Sequence, residues 1–390
     1  MSKTRHRYGA GCLEALGRRG FGSPQRFRAD RVVRRPVRLL GHAALAAAIG
    51  ASGAAPLAQE AAPRTIPEMW TAWCARCHGA DGRGRVAEPT LTVQPRDFTD
   101  CRRATTEPDA DWALATAKGG PAVGLSAQMP AFGAALTAAQ IDGFVAHMRR
   151  FCTEPDWPDG NLNLPRPIFT EKAFPEDELV VTPMTTHGGG ERHWTGVLTL
   201  EKRIGKRAQL EVTQPLESVV VDGRRSRGFG DLELGFKYVL NPRRHNHLAA
   251  AGIDVRTPTG SSSEGLGAGE ARVEPYLATA SAFGLTYVQS QVKLELPRNR
   301  PWADRVAVYR VSLGRDLSLT PRAWTVGLEL TGENDALALV PQVRKGISPS
   351  GALAGAFGVS LPVNHSDEQG RTWVAYVLWE YLEPVFWRRR

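Results

Sequence analysis

Cysteine is scarce in this chain: the 390 residues contain five, and none lies beyond position 152. A zinc site would need a second Cys/His pair at short spacing, and a redox dithiol would need a βαβ pattern around it. Neither accompanies Cys74 and Cys77. The second half of the chain also lacks a base, a nucleophile and an orienting group at defined spacing. Zinc sites and nucleophilic active sites are therefore not expected.

An excess of positive charge is absent from most of the chain. The formal net charge is +9, yet residues 1–58 alone hold eleven Lys/Arg and only two acids, Glu14 and Asp30. The remainder carries 38 basic and 38 acidic residues and is neutral. Because nucleic-acid binding needs a basic surface on the folded protein, no nucleic-acid partner is expected.

The basic front of the chain has the pattern of an export signal. The stretch 31–38 is basic, 39–49 is a short apolar run rich in Ala, and small residues continue to Ala58. The apolar run is shorter than the roughly 20 residues of a transmembrane helix. We therefore assign 1–58 as leader and signal peptide, with an uncleaved membrane anchor as the alternative.

The sequence Cys74-Ala75-Arg76-Cys77-His78 occurs once and is a C-x-x-C-H haem attachment pattern. Each of the two thiols can add to one vinyl group of a single haem. His78, the next residue, is placed to bring an imidazole nitrogen to the iron. The sequence therefore predicts one covalently attached haem c, and attachment of such haem outside the bacterial cytoplasm agrees with export.

Met129 is the predicted second axial ligand. It lies in a loop bounded by glycine and proline, ahead of the last helical pattern of this region. Pro130 prevents a helical continuation and favours an extended loop from which the sulfur can point inward. A thioether is a soft ligand that favours ferrous iron and raises the reduction potential relative to two histidines. The alternative is that Met129 only fills space in the core.

Residues 63–153 resemble a class I cytochrome c domain in the order of these motifs. An attachment helix over 68–78 comes first, and helices over 109–118 and 137–151 flank the Met129 loop. The last helix begins at a Thr/Gln capping box. The resemblance implies that the carbonyl of Pro89 accepts a hydrogen bond from Nδ1 of His78 and so orients the ring.

The two remaining thiols of this domain are Cys101 and Cys152. In an oxidising compartment they are expected to form a disulfide that closes a loop of about fifty residues, worth ~4 kcal/mol in the loop-entropy model. Two separate buried thiols are the alternative.

The chain changes character at 154–177, where five prolines fall within 21 residues between positions 155 and 175. This composition predicts an extended linker rather than packed structure. No cysteine and no helix-capping pattern follows it.

Residues 178–390 are a succession of alternating polar and apolar runs. About a dozen such runs occur, and positions 231–238 and 324–330 are clear examples. Six of the seven tyrosines and six of the ten tryptophans lie here, often near the ends of runs, as in the aromatic girdles of membrane barrels. We predict a multidomain chain: an all-α cytochrome c domain followed by an all-β antiparallel barrel of about twelve strands. A soluble β-barrel or sandwich is the alternative.

The glycine-rich segments 228–238, 256–260 and 273–275 resemble outer-membrane transporter-like proteins linked to the degradation of aromatic compounds. The arrangement of the two domains is also similar to that of the fused monohaem cytochrome–porins of iron-oxidising bacteria. These resemblances imply an outer-membrane protein with a periplasmic cytochrome domain; a soluble periplasmic protein is the alternative.

Two functional classes follow. The favoured class is an electron carrier rather than an enzyme, because two filled axial positions leave the iron no site for a substrate. Its expected partners are redox donor and acceptor proteins or an external electron acceptor, together with outer-membrane lipid. The rival class is an outer-membrane transport channel in which the cytochrome domain acts as a plug or redox sensor.

Overall fold

The computed structural model describes residues 65–188, 191–221, 224–242, 246–298, 305–364 and 370–382. The leader and signal peptide expected at 1–58 lie outside these described residues.

The helices of the described chain precede all of its strands. They are α1 (Ile66–Met69), α2 (Ala75–His78), α3 (Cys101–Ala104), α4 (Asp109–Lys118) and α5 (Ala138–Arg149). Capping boxes start two of them: Thr65 pairs with Glu68 at α1, and Thr137 pairs with Gln140 at α5. No helix in the described residues is long and apolar enough to cross a membrane.

The helical domain packs around an aromatic core and is closed by a disulfide. The buried core consists of Met69, Trp70, Phe98, Ala104, Trp112, Leu136, Phe144, Val145 and Met148. Beside it, Cys101 and Cys152 are bonded across a separation of 51 residues. The expected disulfide is therefore present, and it ties α3 to the chain just after α5.

Thirteen strand segments follow the helical domain. They are β1 (Glu178–Gly188), β2 (Glu191–Ile204), β3 (Ala208–Val221), β4 (Arg224–Phe229), β5 (Glu233–Val239), β6 (His247–Arg256), β7 (Arg272–Phe283), β8 (Thr286–Pro297), β9 (Val306–Asp316), β10 (Trp324–Glu333), β11 (Ala336–Gly346), β12 (Leu353–Pro362) and β13 (Arg371–Glu380).

These segments form one closed antiparallel barrel of twelve strands. β3 pairs with β4 over one half of its length and with β5 over the other, so β4 and β5 are two parts of one interrupted strand. β1 pairs with both β2 and β13, which closes the sheet on itself. Among the described strands, β4 alone has a partner on one side only. The prediction of about twelve strands is confirmed.

The barrel carries its apolar side chains on the outside. On β10, Val326, Leu328 and Leu330 are 41%, 46% and 38% exposed, whereas the inward-facing Thr325 and Glu329 are buried. The same alternation recurs along the other strands, because successive residues of a strand point to opposite faces. An apolar exterior over a polar interior is the pattern of a barrel surrounded by lipid.

Exposed aromatic side chains mark both ends of the barrel. One group lies at the end where β1 begins and consists of Tyr238, Phe283, Trp324 and Trp379. The other group lies towards the opposite end and consists of Trp194 and Trp373, which pair with Thr185 from its two sides. The exposed tryptophans thus lie towards the two ends, as the sequence predicts, whereas Tyr276, Tyr287 and Tyr376 are buried in the interior and do not belong to a girdle. Trp302 and Trp387 lie outside the described residues.

The segment 154–177 corrects one expectation. It is mostly irregular, but it is not an exposed linker: Leu162, Thr170, Ala173 and Phe174 are each at most 3% exposed. The chain enters the barrel from the cytochrome end and fills its interior. Prolines and turn residues predict irregular backbone, and they do not show whether that backbone is surrounded by solvent or by a barrel. We call residues 163–177 the plug.

Charged residues of the barrel wall hold the plug. The carboxylate of Glu329, at the middle of β10, accepts backbone N–H groups of Ile168 at 2.5 Å and Thr170 at 2.9 Å. Lys237 on β5 donates to the Glu171 carboxylate at 2.8 Å. Backbone polar groups of an irregular buried segment need partners, and here the barrel wall supplies them.

Candidate haem site

The attachment motif lies on a helix that changes its hydrogen-bonding pattern at the first thiol. A π-helical turn over Trp70–Cys74 joins α1 to α2, and the N–H of Ala75 bonds to the carbonyl of Trp70. The helix then ends after His78 at Gly79, whose φ of 77° suits glycine. Such π-turns recur at functional sites because they rotate the following side chains relative to the helix.

His78 lies against aromatic side chains. Its ring centroid is 5.2 Å from that of Phe98 and 6.0 Å from that of Trp70. The Nδ1 atom is buried without a hydrogen bond to a described residue, and the backbone of Arg96 lies beside the ring. Burial lowers the pKa of His78. A neutral imidazole is the form that can donate a nitrogen lone pair to a metal.

The Met129 loop is fastened on both sides. The Met129 carbonyl accepts the N–H of Gly120 at 3.0 Å, and the N–H of Phe132 reaches the Thr116 carbonyl of α4 at 3.0 Å. Gln128 bonds a distant turn: its Oε1 accepts the N–H of Thr92 at 2.9 Å. The half-buried Met129 is thereby held against the domain rather than left on a free loop.

One apolar cavity joins these residues. It has about 730 Å³ of unfilled space, and its wall includes Cys74, His78 and Met129 together with Trp70 and Phe98. Met148 lines the same cavity from α5, although the sequence favours Met129 as the ligand. A thiol, a buried imidazole and a thioether around an apolar space fit a haem, which is flat, largely apolar and ligated through its iron.

The Cys74 and Cys77 thiols are both half-buried, and Cys74 lines the cavity. Burial, together with the nearby Cys77, raises the pKa of Cys74 to about 11. A neutral thiol in an apolar wall makes neither a reactive thiolate nor a good metal ligand at neutral pH. Addition to a vinyl group is the chemistry that fits this environment best.

Pro89 is the predicted site residue that lies away from the others. It occupies an exposed turn and does not line the cavity. The backbone group beside the His78 ring belongs to Arg96. The turn containing Pro89 still touches the site indirectly, because Gln128 Nε2 donates to the Thr90 carbonyl at 2.7 Å.

Two residues that support the site, Gln128 and Arg149, had no signal in the sequence. Gln128 connects the Met129 loop to a turn 36 to 38 residues away. Arg149 stacks over the Trp112 ring at 3.8 Å, and Trp112 forms part of the cavity wall. Each acts through a contact distant in sequence, so only its neighbour in the fold reveals its role.

The cytochrome domain is attached to the barrel at the end where β1 begins. Arg102 donates to Asp177 at 2.8 Å, and Nζ of Lys202 on β2 reaches the same carboxylate at 2.8 Å. A second ion pair joins Lys206 to Glu154 at 3.2 Å. The helical domain and the barrel therefore meet through charged contacts as well as through the covalent chain.

Comparison with known proteins supports the two-part architecture. A family model described as cytochrome C oxidase, cbb3-type, subunit III, matches residues 61–148. No curated protein matches the chain.

Three solved structures illustrate the similarity of the remaining part. An outer membrane channel from Pseudomonas putida F1 is 16% identical, with 55% of this chain and 99% of that chain covered and a TM-score of 0.40. The KdgM porin is 12% identical, with 52% and 99% covered and a TM-score of 0.38. The NanC porin is 11% identical, with 52% and 98% covered and a TM-score of 0.36.

Residues 61–148 therefore form a cytochrome c domain similar to subunit III of cbb3-type cytochrome c oxidase, and a closed antiparallel barrel of twelve strands follows it.

Proposed function

We propose that this protein is an exported monohaem c-type cytochrome that passes single electrons at the outer membrane, with its haem domain held by the barrel. The observation that carries the proposal is the meeting of Cys74, His78 and Met129 at one apolar cavity within the cytochrome c domain. A haem bound there supplies reversible one-electron exchange between the ferric and ferrous states.

Each residue of the site has a separate role in the proposal. Cys74 and Cys77 attach the haem, His78 is one axial ligand, and Met129 is the other. The Arg96 backbone takes the orienting role expected of Pro89, since it lies beside the His78 ring. Two protein ligands exclude substrate from the iron, which favours electron transfer over catalysis.

The barrel supports placement in the outer membrane. Its exterior is apolar and bounded by two aromatic girdles, which suits a lipid bilayer. The longest described loop between strands, 257–271, lies at the end opposite the cytochrome domain. Outer-membrane barrels carry short turns on the periplasmic side and longer loops outside, so the cytochrome domain faces the periplasm.

This placement defines the classes of redox partner. A periplasmic donor or acceptor protein can approach the cytochrome domain directly, and the second partner lies at or beyond the outer membrane. The charged contacts between Arg102 and Asp177 fix the haem domain at the barrel rim, and they keep the site close to the membrane.

The rival function is transport through the barrel. One observation bears on it: residues 163–177 fill the lumen, and the cytochrome domain lies at the barrel end. A channel would need the plug, rather than the cytochrome domain, to move. The electron carrier remains the better-supported function because the lumen is tightly occupied.

The two functions are separated by replacing Met129 with Leu, which conserves volume but removes the sulfur. Met148→Leu is the matched control, because Met148 lines the same cavity. In an electron carrier, Met129→Leu alone slows oxidation of the reduced holoprotein by ferricyanide in stopped flow. Equal rates in both variants, with a conductance in planar bilayers that is independent of haem, would support the channel instead.

A further inference from the structure

A second cavity lies between the cytochrome domain and the barrel. It has about 1160 Å³ of unfilled space, part of which is open to solvent. Glu107, Trp112, Ala115 and Leu125 line both this chamber and the haem cavity. The chamber and the haem cavity are therefore neighbours that share a wall.

Arg344 on β11 points into the chamber from the barrel side. Its Nε atom is buried without a hydrogen-bond partner. Among the described residues no carboxylate lies at ion-pair distance from its guanidinium, and Glu178 and Glu380 act on it only from a longer distance. The residues beside it across the sheet are small, Thr325 on β10 and Ala356 on β12, which leaves space in front of it. The guanidinium therefore keeps donors that are free to bind an anionic ligand.

The other charged groups on the barrel side of the chamber already have partners. Lys172 of the plug pairs with Glu176, and it lies 3.4 Å from Glu178. Asp316 accepts hydrogen bonds from Thr325 and from Tyr287. Glu380 is engaged as well. Within the described chain, Arg344 is therefore the cation on this side of the chamber that has no direct ion pair.

The cytochrome side of the chamber offers an apolar wall and one protonatable group. Glu107 is paired with Arg96 at 2.8 Å and accepts the Trp112 indole N–H. Burial, assisted by Glu107 and Asp316, raises the pKa of Asp111 to about 7. Below neutral pH, Asp111 therefore adds no negative charge to the chamber.

We infer that the chamber is a binding site for a small amphipathic carboxylate, with its head group on Arg344 and its apolar body against Trp112 and Leu125. The planar guanidinium fork matches the two oxygens of a carboxylate. Arg344, Pro165 and Thr325 also line a smaller cavity deeper in the barrel, so the ligand would sit where the chamber meets the lumen. Binding of a carboxylate in this chamber is a function separate from electron transfer, and it does not depend on His78 or Met129.

Binding is tested on the full-length holoprotein in nanodiscs by isothermal titration at pH 6, with hexanoate as the probe and hexanamide as its neutral analogue. We expect saturable binding of hexanoate and roughly tenfold weaker binding of hexanamide, a difference of about 1.4 kcal/mol. Arg344→Gln should weaken hexanoate to the level of the amide. Lys345→Gln is the matched control, because Lys345 lies over the Trp324 ring on the outer face.

A second variant tests the same inference in case Arg344→Gln does not fold. Thr320→Glu places a negative charge in an exposed loop that lines the chamber, and it should also weaken hexanoate severalfold. Ser318→Glu in the same loop is its control. Absence of saturable hexanoate binding in the wild type, or equal affinity for the acid and the amide, would overturn the inference. So would unchanged affinity in either chamber variant that folds.

Discussion

The two parts of this chain place their apolar side chains on opposite sides of the fold. In the cytochrome domain, apolar side chains such as Trp70 and Phe144 are buried, and charges face water. In the barrel, Leu328 and Leu277 are outside, whereas Glu329 and Lys237 are inside. Apolar side chains thus face inward in one region and outward in the other, because one region is surrounded by water and the other is suited to lipid.

The interior of each part is completed in a different way. The cytochrome domain leaves an apolar cavity beside His78, and a haem fits that space. The barrel leaves a polar lumen, and the chain fills it with its own plug, which pairs Glu171 with Lys237. We therefore expect substitutions in the cytochrome interior to affect haem attachment. Those on the barrel exterior should affect stability in lipid, and those in the barrel interior should affect conductance.

The largest expected effect concerns the cytochrome interior. Replacement of both Cys74 and Cys77 by Ser should abolish covalent haem attachment, because no thiol remains to add to a vinyl group. Haem staining after a denaturing gel measures this directly. The control is replacement of both Cys101 and Cys152 by Ser, which should retain covalent haem and lower the unfolding free energy by about 4 kcal/mol. Staining of the first variant at wild-type intensity would contradict the assignment.

The barrel exterior is tested next. Leu328→Arg at the middle of β10 should destabilise the barrel by roughly 2–4 kcal/mol, because it places a charge at the depth of the bilayer midplane. Leu319→Arg is the matched control, since Leu319 is equally apolar and 59% exposed but lies in a loop at the barrel end. Unfolding in lipid vesicles, monitored by tryptophan fluorescence, gives the difference. Equal effects of the two substitutions would indicate a barrel in water.

The contacts that hold the plug in the lumen are tested most directly at Glu329. Glu329→Ala leaves the backbone N–H groups of Ile168 and Thr170 without their acceptor, at a cost of about 1–3 kcal/mol each if they stay buried. We therefore expect the plug to leave the lumen more often and ion conductance in planar bilayers to rise. Glu333→Ala, at the exposed end of the same strand, should leave conductance at the wild-type level. Wild-type conductance in Glu329→Ala would mean that the other contacts of the plug are enough to hold it in the lumen.

A smaller effect on stability is expected at Asp111, which lies in the cytochrome domain beside the barrel. Because the pKa of Asp111 is about 7 in the fold and near 4 in an unfolded chain, protonation stabilises the fold at low pH. That stability is lost as the pH rises from about 4 to 7. Asp111→Asn should therefore raise the free energy of unfolding at pH 8 by an amount on the order of 2 kcal/mol, measured as a higher thermal midpoint, and should leave it unchanged at pH 4. Asp142→Asn, an exposed site on α5, is the control; the same midpoint shift at both pH values would contradict the assignment.

The sequence predicts the elements of both parts well where local chemistry decides them. The span of α4, 109–118, and the capping box at Thr137 follow from helix periodicity and capping, and the structure contains both. The twelve strands follow from alternation between polar and apolar residues. The attachment motif and Met129 are visible as sequence patterns, and the structure brings Cys74, His78 and Met129 to one cavity.

What the sequence does not reveal are contacts between distant segments. The plug has the composition of a linker, and only the barrel around it shows that Phe174 and Lys172 are buried. The backbone of Arg96 lies beside the His78 ring, whereas Pro89 occupies an exposed turn, and the path of the intervening loop is not visible in the sequence. That Arg344 has no direct ion pair within the described residues is likewise apparent only when its neighbours across the sheet are known.

The central claim is that one chain fixes a haem domain to the outer membrane. The most direct test expresses the full chain with the haem maturation apparatus and records reduced-minus-oxidised spectra of outer-membrane and soluble fractions after a high-salt wash. The account predicts low-spin ferrous bands that stay in the washed outer-membrane fraction. If the same bands appeared in the soluble fraction, the protein would still be a cytochrome, but its attachment to the membrane would be contradicted.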